Sequence, residues 1–239
     1  MTTSQTTHHT CRPVAAARAA WIALWLIASL AVNPGSAAAQ TAADTTLIAA
    51  AGRGDAASVE RLLKQGASVQ ARDGTGRTAL LAATQHNRIE AARLLISAGA
   101  DVNAQDNIRD SPYLLAGARG HVEILRLTLA AGADLKSVNR YGGTALTPAC
   151  HYGHVETVRE LLKTRVALDH VNKLGWSCLL EAVILGDGGT RHTEIVRLVV
   201  AAGANVNLAD RDRVSPLRHA RSRGQTAIAQ ILEAAGARP

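Results

Sequence analysis

The stretch GRTALLAATQHNRIEAARLLISAGADVNAQD, residues 76–106, contains one complete unit of a repeating pattern. Thr78 precedes an apolar run, where its hydroxyl can cap the first N–H groups of a helix. A polar link at 85–88 leads to a second apolar stripe at helical spacing, and Gly99 then ends that helix as a left-handed C-terminal residue would. We therefore expect each unit to be a helix, a turn, a second helix and an extended finger.

The opening threonine or serine of this unit recurs at intervals of about 33 residues. The recurring residues are Thr45, Thr78, Ser111, Thr144, Ser177 and Ser215, the last after a longer interval. Such a period indicates stacked helical units that bury their apolar faces against one another. The 239 residues are 47% hydrophobic but only 3% aromatic, so the core must be built from Ala, Leu, Val and Ile. This composition suits thin, closely packed helices and argues against disorder.

Three segments resemble ankyrin repeats: residues 76–106, GGTALTPACHYGHVETVRELL at 142–162, and SPLRHARSRGQTAIAQILEAAGA at 215–237. The resemblance implies an all-α ankyrin-repeat solenoid of about six helix-turn-helix units with finger-like β-turns. The expected repeats are 45–77, 78–110, 111–143, 144–176, 177–214 and 215–239. Other phrases, SPYLLAG, NRYGGTAL and NKLGWSCLLEAVILGDGG, are similar to a subgroup of secreted bacterial ankyrin proteins. Some members of that subgroup support a catalase in oxidative-stress defence.

The resemblance also implies where a partner would bind, because ankyrin proteins generally hold protein partners with the finger tips and the exposed end of the first helix. The matching positions here are Asn107, Ile108, Arg119, Arg140, Tyr141, His151, Tyr152, Lys173, Leu174 and Trp176. Aromatic and arginine side chains dominate binding hot spots, and three of the few aromatics fall in this set. We therefore expect a protein partner for a monomeric, non-enzymatic module. The alternative is that Tyr141 and Trp176 only pack against neighbouring fingers.

Glu181 occupies a first-helix position that holds a small or apolar residue in other units, such as Ala82 and Leu115. A carboxylate there needs a partner or access to water. It could contact a ligand, but an ion pair with a neighbouring basic residue is the favoured interpretation. A rival function, binding of a small ligand or an anionic surface, would combine Glu181 with the C-terminal arginines. These are Arg211, Arg213, Arg218, Arg221 and Arg223.

No catalytic motif, cofactor motif or nucleic-acid signature stands out, so we expect neither an enzyme nor a nucleic-acid partner. The cluster Cys150-His151-x-x-His154 has a metal-like spacing, but a fourth zinc ligand is not evident nearby. His154 is instead expected to form a structural hydrogen bond at the start of the second helix. Cys150 and Cys178 fall at the seventh and second positions of neighbouring first helices. Adding the helical rise to the lateral step predicts two unpaired thiols, too far apart to bridge.

The pattern of residues 1–39 predicts a cleaved signal peptide, followed by a short linker at 40–44 and the repeat domain at 45–239. A positive flank precedes the apolar run AAWIALWLIASLAV at 19–32, and small residues follow it. We expect cleavage after Ala39 and a periplasmic or secreted protein without stable membrane insertion. An uncleaved N-terminal membrane anchor is the alternative, although the run falls short of the roughly 20 residues that span a bilayer.

Several departures from the repeat pattern predict local differences. Arg109 and Arg213 replace the glycine of the finger turn, so those fingers should be shaped differently. Arg165 replaces the glycine that ends a second helix, and Pro148 should disturb the first helix that contains it. The insertion at 187–191 should protrude as a flexible loop.

Overall fold

The computed structural model describes residues 34–239, with side chains described from residue 41. These residues form twelve α-helices and no strand beyond one isolated bridge between Arg72 and Thr78. The helices form six antiparallel pairs. Their bounds are α1 Pro34–Arg53, α2 Ala56–Lys64, α3 Ala79–Gln85, α4 Ile89–Ser97, α5 Pro112–Arg119, α6 Val122–Ala130, α7 Leu146–His151, α8 Val155–Leu162, α9 Cys178–Ile184, α10 Thr190–Ala201, α11 Pro216–Ser222 and α12 Thr226–Ala234.

The first helices of successive pairs pack in one row and the second helices in another. A single continuous core runs through the stack, built mainly from Ala, Leu, Val and Ile. Tyr113 is an exception, an aromatic side chain that is fully buried. The all-α solenoid of six units predicted from the sequence is therefore confirmed.

The predicted helix caps are present in four units. The hydroxyls of Thr78, Ser111, Ser177 and Ser215 each accept a hydrogen bond from the backbone N–H three residues later. Thr45 does not cap a helix, because α1 already begins at Pro34 and places Thr45 in its interior. Its hydroxyl donates to the Thr41 carbonyl instead.

Thr144 also fails to cap its helix, and Pro148 explains the difference. The proline has no N–H to donate to the Thr144 carbonyl, so the first turn does not close and α7 begins late, at Leu146. The Thr144 hydroxyl is left buried without a hydrogen-bond partner. The predicted disturbance at Pro148 is present, and it makes the fourth unit the least regular in its first helix.

Neighbouring first helices are staggered, which brings the seventh position of one against the second position of the next. Gly117 and Ala145 meet in this way, since a Cβ on Gly117 would lie 2.7 Å from the Ala145 Cβ. Cys150 and Cys178 occupy the equivalent places one unit later and form a disulfide with a Cα–Cα distance of 5.5 Å. The prediction of two unpaired thiols is wrong, because it added the axial and lateral offsets of the helices as if they were in register.

The finger turns share one construction that also corrects the prediction for Arg109 and Arg213. An Asp or Asn opens each turn, and its side-chain oxygen accepts from the backbone N–H groups two and four residues later. These residues are Asp73, Asp106, Asn139, Asn172 and Asp210. Arg109 and Arg213 adopt left-handed φ angles of 66° and 60°, close to the 76° of Gly142. The prediction that these two fingers differ is wrong, because the bonds around the turn hold the arginines in a conformation that usually favours glycine.

The end of α8 does differ, as Arg165 predicted. Arg165 is not among the described residues with positive φ. The Thr164 hydroxyl accepts from the Val166 N–H at 3.2 Å, where other units use a backbone carbonyl of the preceding helix. A side chain thus takes over the bond that the left-handed glycine would have set up.

The insertion at 187–191 is not wholly a loop. Thr190 and Arg191 form the first residues of α10, which is longer than the other second helices. Asp187 accepts from the Gly189 N–H at 2.9 Å and lies 2.7 Å from His192 Nδ1. The predicted protruding loop is therefore wrong for the part that extends the helix.

Candidate functional site

A groove of about 740 Å³ runs across the third, fourth and fifth units. Its floor comes from the C-terminal parts of α5, α7 and α9, and its wall from the fingers between them. The side chains that dominate it include Asp110, Leu115, Arg119, Arg140, Tyr141, Pro148, His151, Tyr152, His154, Asn172, Leu174, Glu181 and Leu185. Apolar, aromatic and charged groups therefore meet in one concave surface, which is where ligand sites usually form.

The groove brings together six of the ten predicted partner-binding residues and also Glu181. The six are Arg119, Arg140, Tyr141, His151, Tyr152 and Leu174. The other four lie outside it: Asn107, Ile108, Lys173 and Trp176. Two of these connect neighbouring fingers, since the Asn107 N–H donates to the Thr75 carbonyl and Lys173 Nζ donates to the Arg140 carbonyl. Trp176 is half-buried, whereas Ile108 is 53% exposed.

Aromatic groups line the exposed part of the groove. Tyr141 and Tyr152 are 55% and 54% exposed. The guanidinium of Arg140 lies 5.0 Å from the centre of the Tyr141 ring, and the His151 and Tyr152 rings stack at 4.2 Å. Neighbouring side chains thus fix the direction of both tyrosine rings, and each keeps more than half of its surface available to a partner.

Glu181 lies at the floor and is 6% exposed. Its Oε1 accepts from Asn172 Nδ2 at 2.7 Å, and its Oε2 lies 3.8 Å from His151 Nδ1. Burial raises the pKa of Glu181 to about 7, against a smaller lowering effect from the Asn172 bond. Burial, with the nearby His192, also lowers the pKa of His151, which disfavours the charged form of its ring. The basic neighbour expected for Glu181 is therefore His151, which lies at ion-pair distance and carries a charge only when its ring is protonated, while Asn172 donates the hydrogen bond.

A second carboxyl in the groove was not singled out from the sequence. Asp110 follows the finger turn of the third unit, and its Oδ2 lies 3.2 Å from Arg140 Nη1. Burial raises the pKa of Asp110 despite the neighbouring Arg140. The signal available in the sequence was weak, because the position after the turn holds unrelated residues in other units, for example Arg77 and Trp176.

The disulfide joins α7 to α9 directly beside the floor residues. Cys150 precedes His151, and Cys178 lies one helical turn before Glu181. Because Cys150 is in a disulfide, it offers no thiolate to a metal. His154 packs against Gly120 of the preceding unit, and burial lowers its pKa while the Ala118 backbone raises it. The structural hydrogen bond expected for it stays a prediction. In the part of the chain with described side chains, no three His, Cys, Asp or Glu residues group as metal ligands would.

The C-terminal arginines do not line the groove. Arg211 donates to the Lys173 carbonyl, Arg223 donates to the Ile184 carbonyl, and Arg221 lies 2.9 Å from Glu233. Three of the five therefore bond within the chain, and the charge of one of them, Arg221, is offset by an acid. Between residues 34 and 239, no helix combines the length and apolar character needed to traverse a bilayer.

Comparison with known proteins places this geometry in a family. The sequence model described as "Ankyrin repeats (3 copies)" matches residues 14–106 and 113–210. An ankyrin repeat domain from Acinetobacter baumannii AYE is 56% identical, with a TM-score of 0.79, over 81% of this chain and 98% of that one. The ankyrin repeat protein EF0377 is 39% identical, with a TM-score of 0.76, over 78% of this chain and 96% of that one.

Two further proteins match this chain, one in structure and one in a short stretch of sequence. The ankyrin repeat domain of Bcl-3, a member of the IkappaB family, is 30% identical with a TM-score of 0.72, over 80% of this chain and 86% of that one. YahD, an ankyrin repeat protein of Escherichia coli K12, is 49% identical over 59 residues, which are 25% of this chain and 29% of that relative. The match with this curated relative therefore spans less than a third of its length. The family model covers most of the present sequence, and the chain belongs to the ankyrin repeat family.

Proposed function

We propose that this protein is an exported binding module that holds a segment of a protein partner in the groove over its third to fifth repeats. The ankyrin repeat fold is typically a protein–protein interaction scaffold rather than a catalyst. The observation that carries the proposal is that the exposed Tyr141, Tyr152 and Leu174 converge on one groove. Exposed aromatic and apolar groups concentrated in a concave surface are characteristic of binding hot spots.

The groove is preformed, which favours the binding of a partner. Side-chain bonds close each finger turn, and backbone bonds link neighbouring fingers, such as Lys173 N–H to the Tyr141 carbonyl at 2.9 Å. The disulfide fixes α7 against α9 beside the same surface. A partner that binds such a surface orders few additional groups, so less of the interaction energy is lost to conformational entropy.

The proposed location is the periplasm or the exterior of the cell. The support is the signal-peptide pattern of residues 1–39 together with the disulfide, a bond that persists mainly in oxidising compartments. Cleavage after Ala39 would remove the first residues of α1 but keep its buried Leu47, Ile48 and Ala50. N-terminal sequencing of the exported protein tests this step, and an intact Met1 would favour the membrane-anchored alternative.

The proposed partner class is an enzyme of oxidative-stress defence, which rests on the resemblance to the secreted ankyrin subgroup. The protein is proposed to act as a monomer. The rival function, binding of a small ligand or an anionic surface by Glu181 with the C-terminal arginines, has less support because Glu181 lines the groove and the arginines do not. Strong salt-sensitive retention on anionic vesicles would favour that rival.

The decisive experiment is capture of partners from an extract of the source cells by immobilised protein. The double variant Tyr141→Ala with Tyr152→Ala should lose the captured protein, because it removes both exposed rings of the groove. The matched control is Ile108→Ala, which removes an equally exposed apolar side chain outside the groove. If the double variant captures the same proteins in the same amounts, the groove is not the binding surface.

A further inference from the structure

Asn172 is the hydrogen-bond partner of one of the two carboxyl oxygens of Glu181. The Oδ1 of Asn172 closes the finger turn by accepting from the N–H groups of Leu174 and Trp176. That orientation directs Nδ2 away from the turn, where Glu181 Oε1 accepts from it at 2.7 Å. A glutamine at position 181 would serve this bond equally well through its carbonyl oxygen. The finger therefore requires an acceptor here but no charge.

The second oxygen, Oε2, has no such partner. Among the described residues no group donates a hydrogen bond to it, and His151 Nδ1 lies 3.8 Å away, beyond hydrogen-bonding distance. The side chain is 8% exposed and lines the groove, so an external donor can approach Oε2 only from that surface. A buried carboxylate is unfavourable without a charged partner, and burial disfavours the protonated form of its basic neighbour, His151. The arrangement therefore points to a cation that the described part of the chain does not supply.

In the sixth repeat the same pair of positions completes its hydrogen bond within the chain. His219 occupies the position of Glu181 in its repeat, and Asp210 occupies that of Asn172. His219 Nε2 lies 2.7 Å from Asp210 Oδ2, so a base meets an acid. In the fifth repeat the carboxyl of Glu181 is paired with the amide of Asn172, and no described basic group lies within hydrogen-bonding distance of it. The contrast shows that this position can complete its pairing within the fold, and that Glu181 does not.

We propose that Glu181 Oε2 receives the ammonium group of a lysine side chain on the partner segment that occupies the groove. This deepens the proposed function and rests on it. The methylene stem of such a lysine would lie against Leu174 and Leu185, which are 49% and 40% exposed in the groove. The ammonium would keep the carboxyl ionised, offsetting the burial that raises its pKa.

A lysine fits this site better than an arginine. A guanidinium binds a carboxylate best when both oxygens are available to its two parallel N–H groups. Here Asn172 already occupies Oε1, and a compact ammonium needs only one oxygen. The other cations of the groove do not compete for Oε2: Arg140 is paired with Asp110 and lies over the Tyr141 ring, and Arg119 stands two repeats away on α5.

The test uses the full chain and two small probes, Nα-acetyl-lysine amide and its uncharged counterpart Nα-acetyl-norleucine amide. Binding is followed by NMR at the Glu181 carboxyl carbon and the His151 ring. The lysine probe should shift both signals to saturation, with an affinity about tenfold or more above that of the norleucine probe. The corresponding arginine probe should bind more weakly than lysine.

The variant Glu181→Gln keeps the acceptor for Asn172 and should abolish the preference for lysine. Glu233→Gln, an exposed acid paired with Arg221 at the end of the stack, is the matched control and should leave that preference unchanged. Equal binding of the lysine and norleucine probes, tighter binding of arginine, or an undiminished response in Glu181→Gln would overturn the proposal. Because no partner is used, such a result leaves the tyrosine experiment to decide the proposed function separately.

Discussion

Replacing Glu181 with glutamine is expected to stabilise the isolated protein at neutral and alkaline pH. The carboxyl is buried, its Oε1 is bonded to Asn172, and its pKa rises from 4.5 to about 7. At about 1.4 kcal/mol per pKa unit, this difference makes the ionised group unfavourable by about 3 kcal/mol in the folded state. Glutamine keeps the bond from Asn172 and has no charge to bury.

The sign of the pH dependence follows from the two pKa values. Because the folded state holds the proton of Glu181 more tightly, the folded protein loses stability as pH rises from 4.5 towards about 7. Below this window the carboxyl is protonated in both states, and above it the carboxyl is ionised in both. The difference between Glu181→Gln and wild type should therefore be small near the acidic end and grow to about 3 kcal/mol above neutrality.

Urea unfolding of both proteins at a series of pH values measures this difference directly. Contributions of titrating groups distant from Glu181 cancel when the variant is compared with wild type at the same pH, whereas His151, 3.8 Å away, is coupled to it. The exposed Glu233→Gln serves as the control and should show no comparable trend. A difference in unfolding free energy that stays constant across the series would refute the reasoning, because it would mean that Glu181 titrates as an exposed carboxyl does.

Three further predictions concern the stack itself. Reducing the disulfide, or replacing Cys150 and Cys178 with serine, should lower the unfolding free energy by about 3–4 kcal/mol, given the sequence separation of 28; unchanged urea midpoints with and without reductant would argue that the bond does not form. Gly117→Ala should lower the free energy of unfolding, measured with urea, by about 1–3 kcal/mol through overpacking. Gly74→Ala, which has open space around it, is the control and should be near neutral. Arg109→Gly should be neutral or stabilising by up to about 1 kcal/mol because it relieves a left-handed arginine; a clear loss of stability would show that the arginine side chain itself supports the finger.

The architecture could be predicted from the sequence because each repeat is marked by residues that act within a few positions of themselves. Thr78 and Ser111 cap their helices through bonds that span three residues, and such bonds depend little on the rest of the fold. Thr144 carries the same signal without the bond, since Pro148 alters the turn that follows it. Local patterns thus predict where a unit lies more reliably than whether each of its bonds forms.

The errors lie where the outcome depends on contacts between units. The stagger that joins Cys150 to Cys178 is a property of neighbouring helices, although the small pair Gly117 and Ala145 at the equivalent positions was a clue to it. The groove depends on such contacts as well. Residues chosen one repeat at a time included Trp176, which does not line it, and omitted Asp110, which does.

The disulfide also has a consequence for the way the array unfolds. In a repeat protein each unit is stabilised by its immediate neighbours, so unfolding can begin at an end and stop at a weak junction. The fourth repeat, with its late-starting α7 and the buried, unpartnered Thr144 hydroxyl, is such a junction. The covalent link from Cys150 to Cys178 crosses from this repeat to the fifth, so the two cannot separate while it is intact. The disulfide therefore couples the unfolding of the fourth repeat to that of the fifth. After reduction, we expect the repeats on the C-terminal side of the junction to unfold before the others instead of in a single transition.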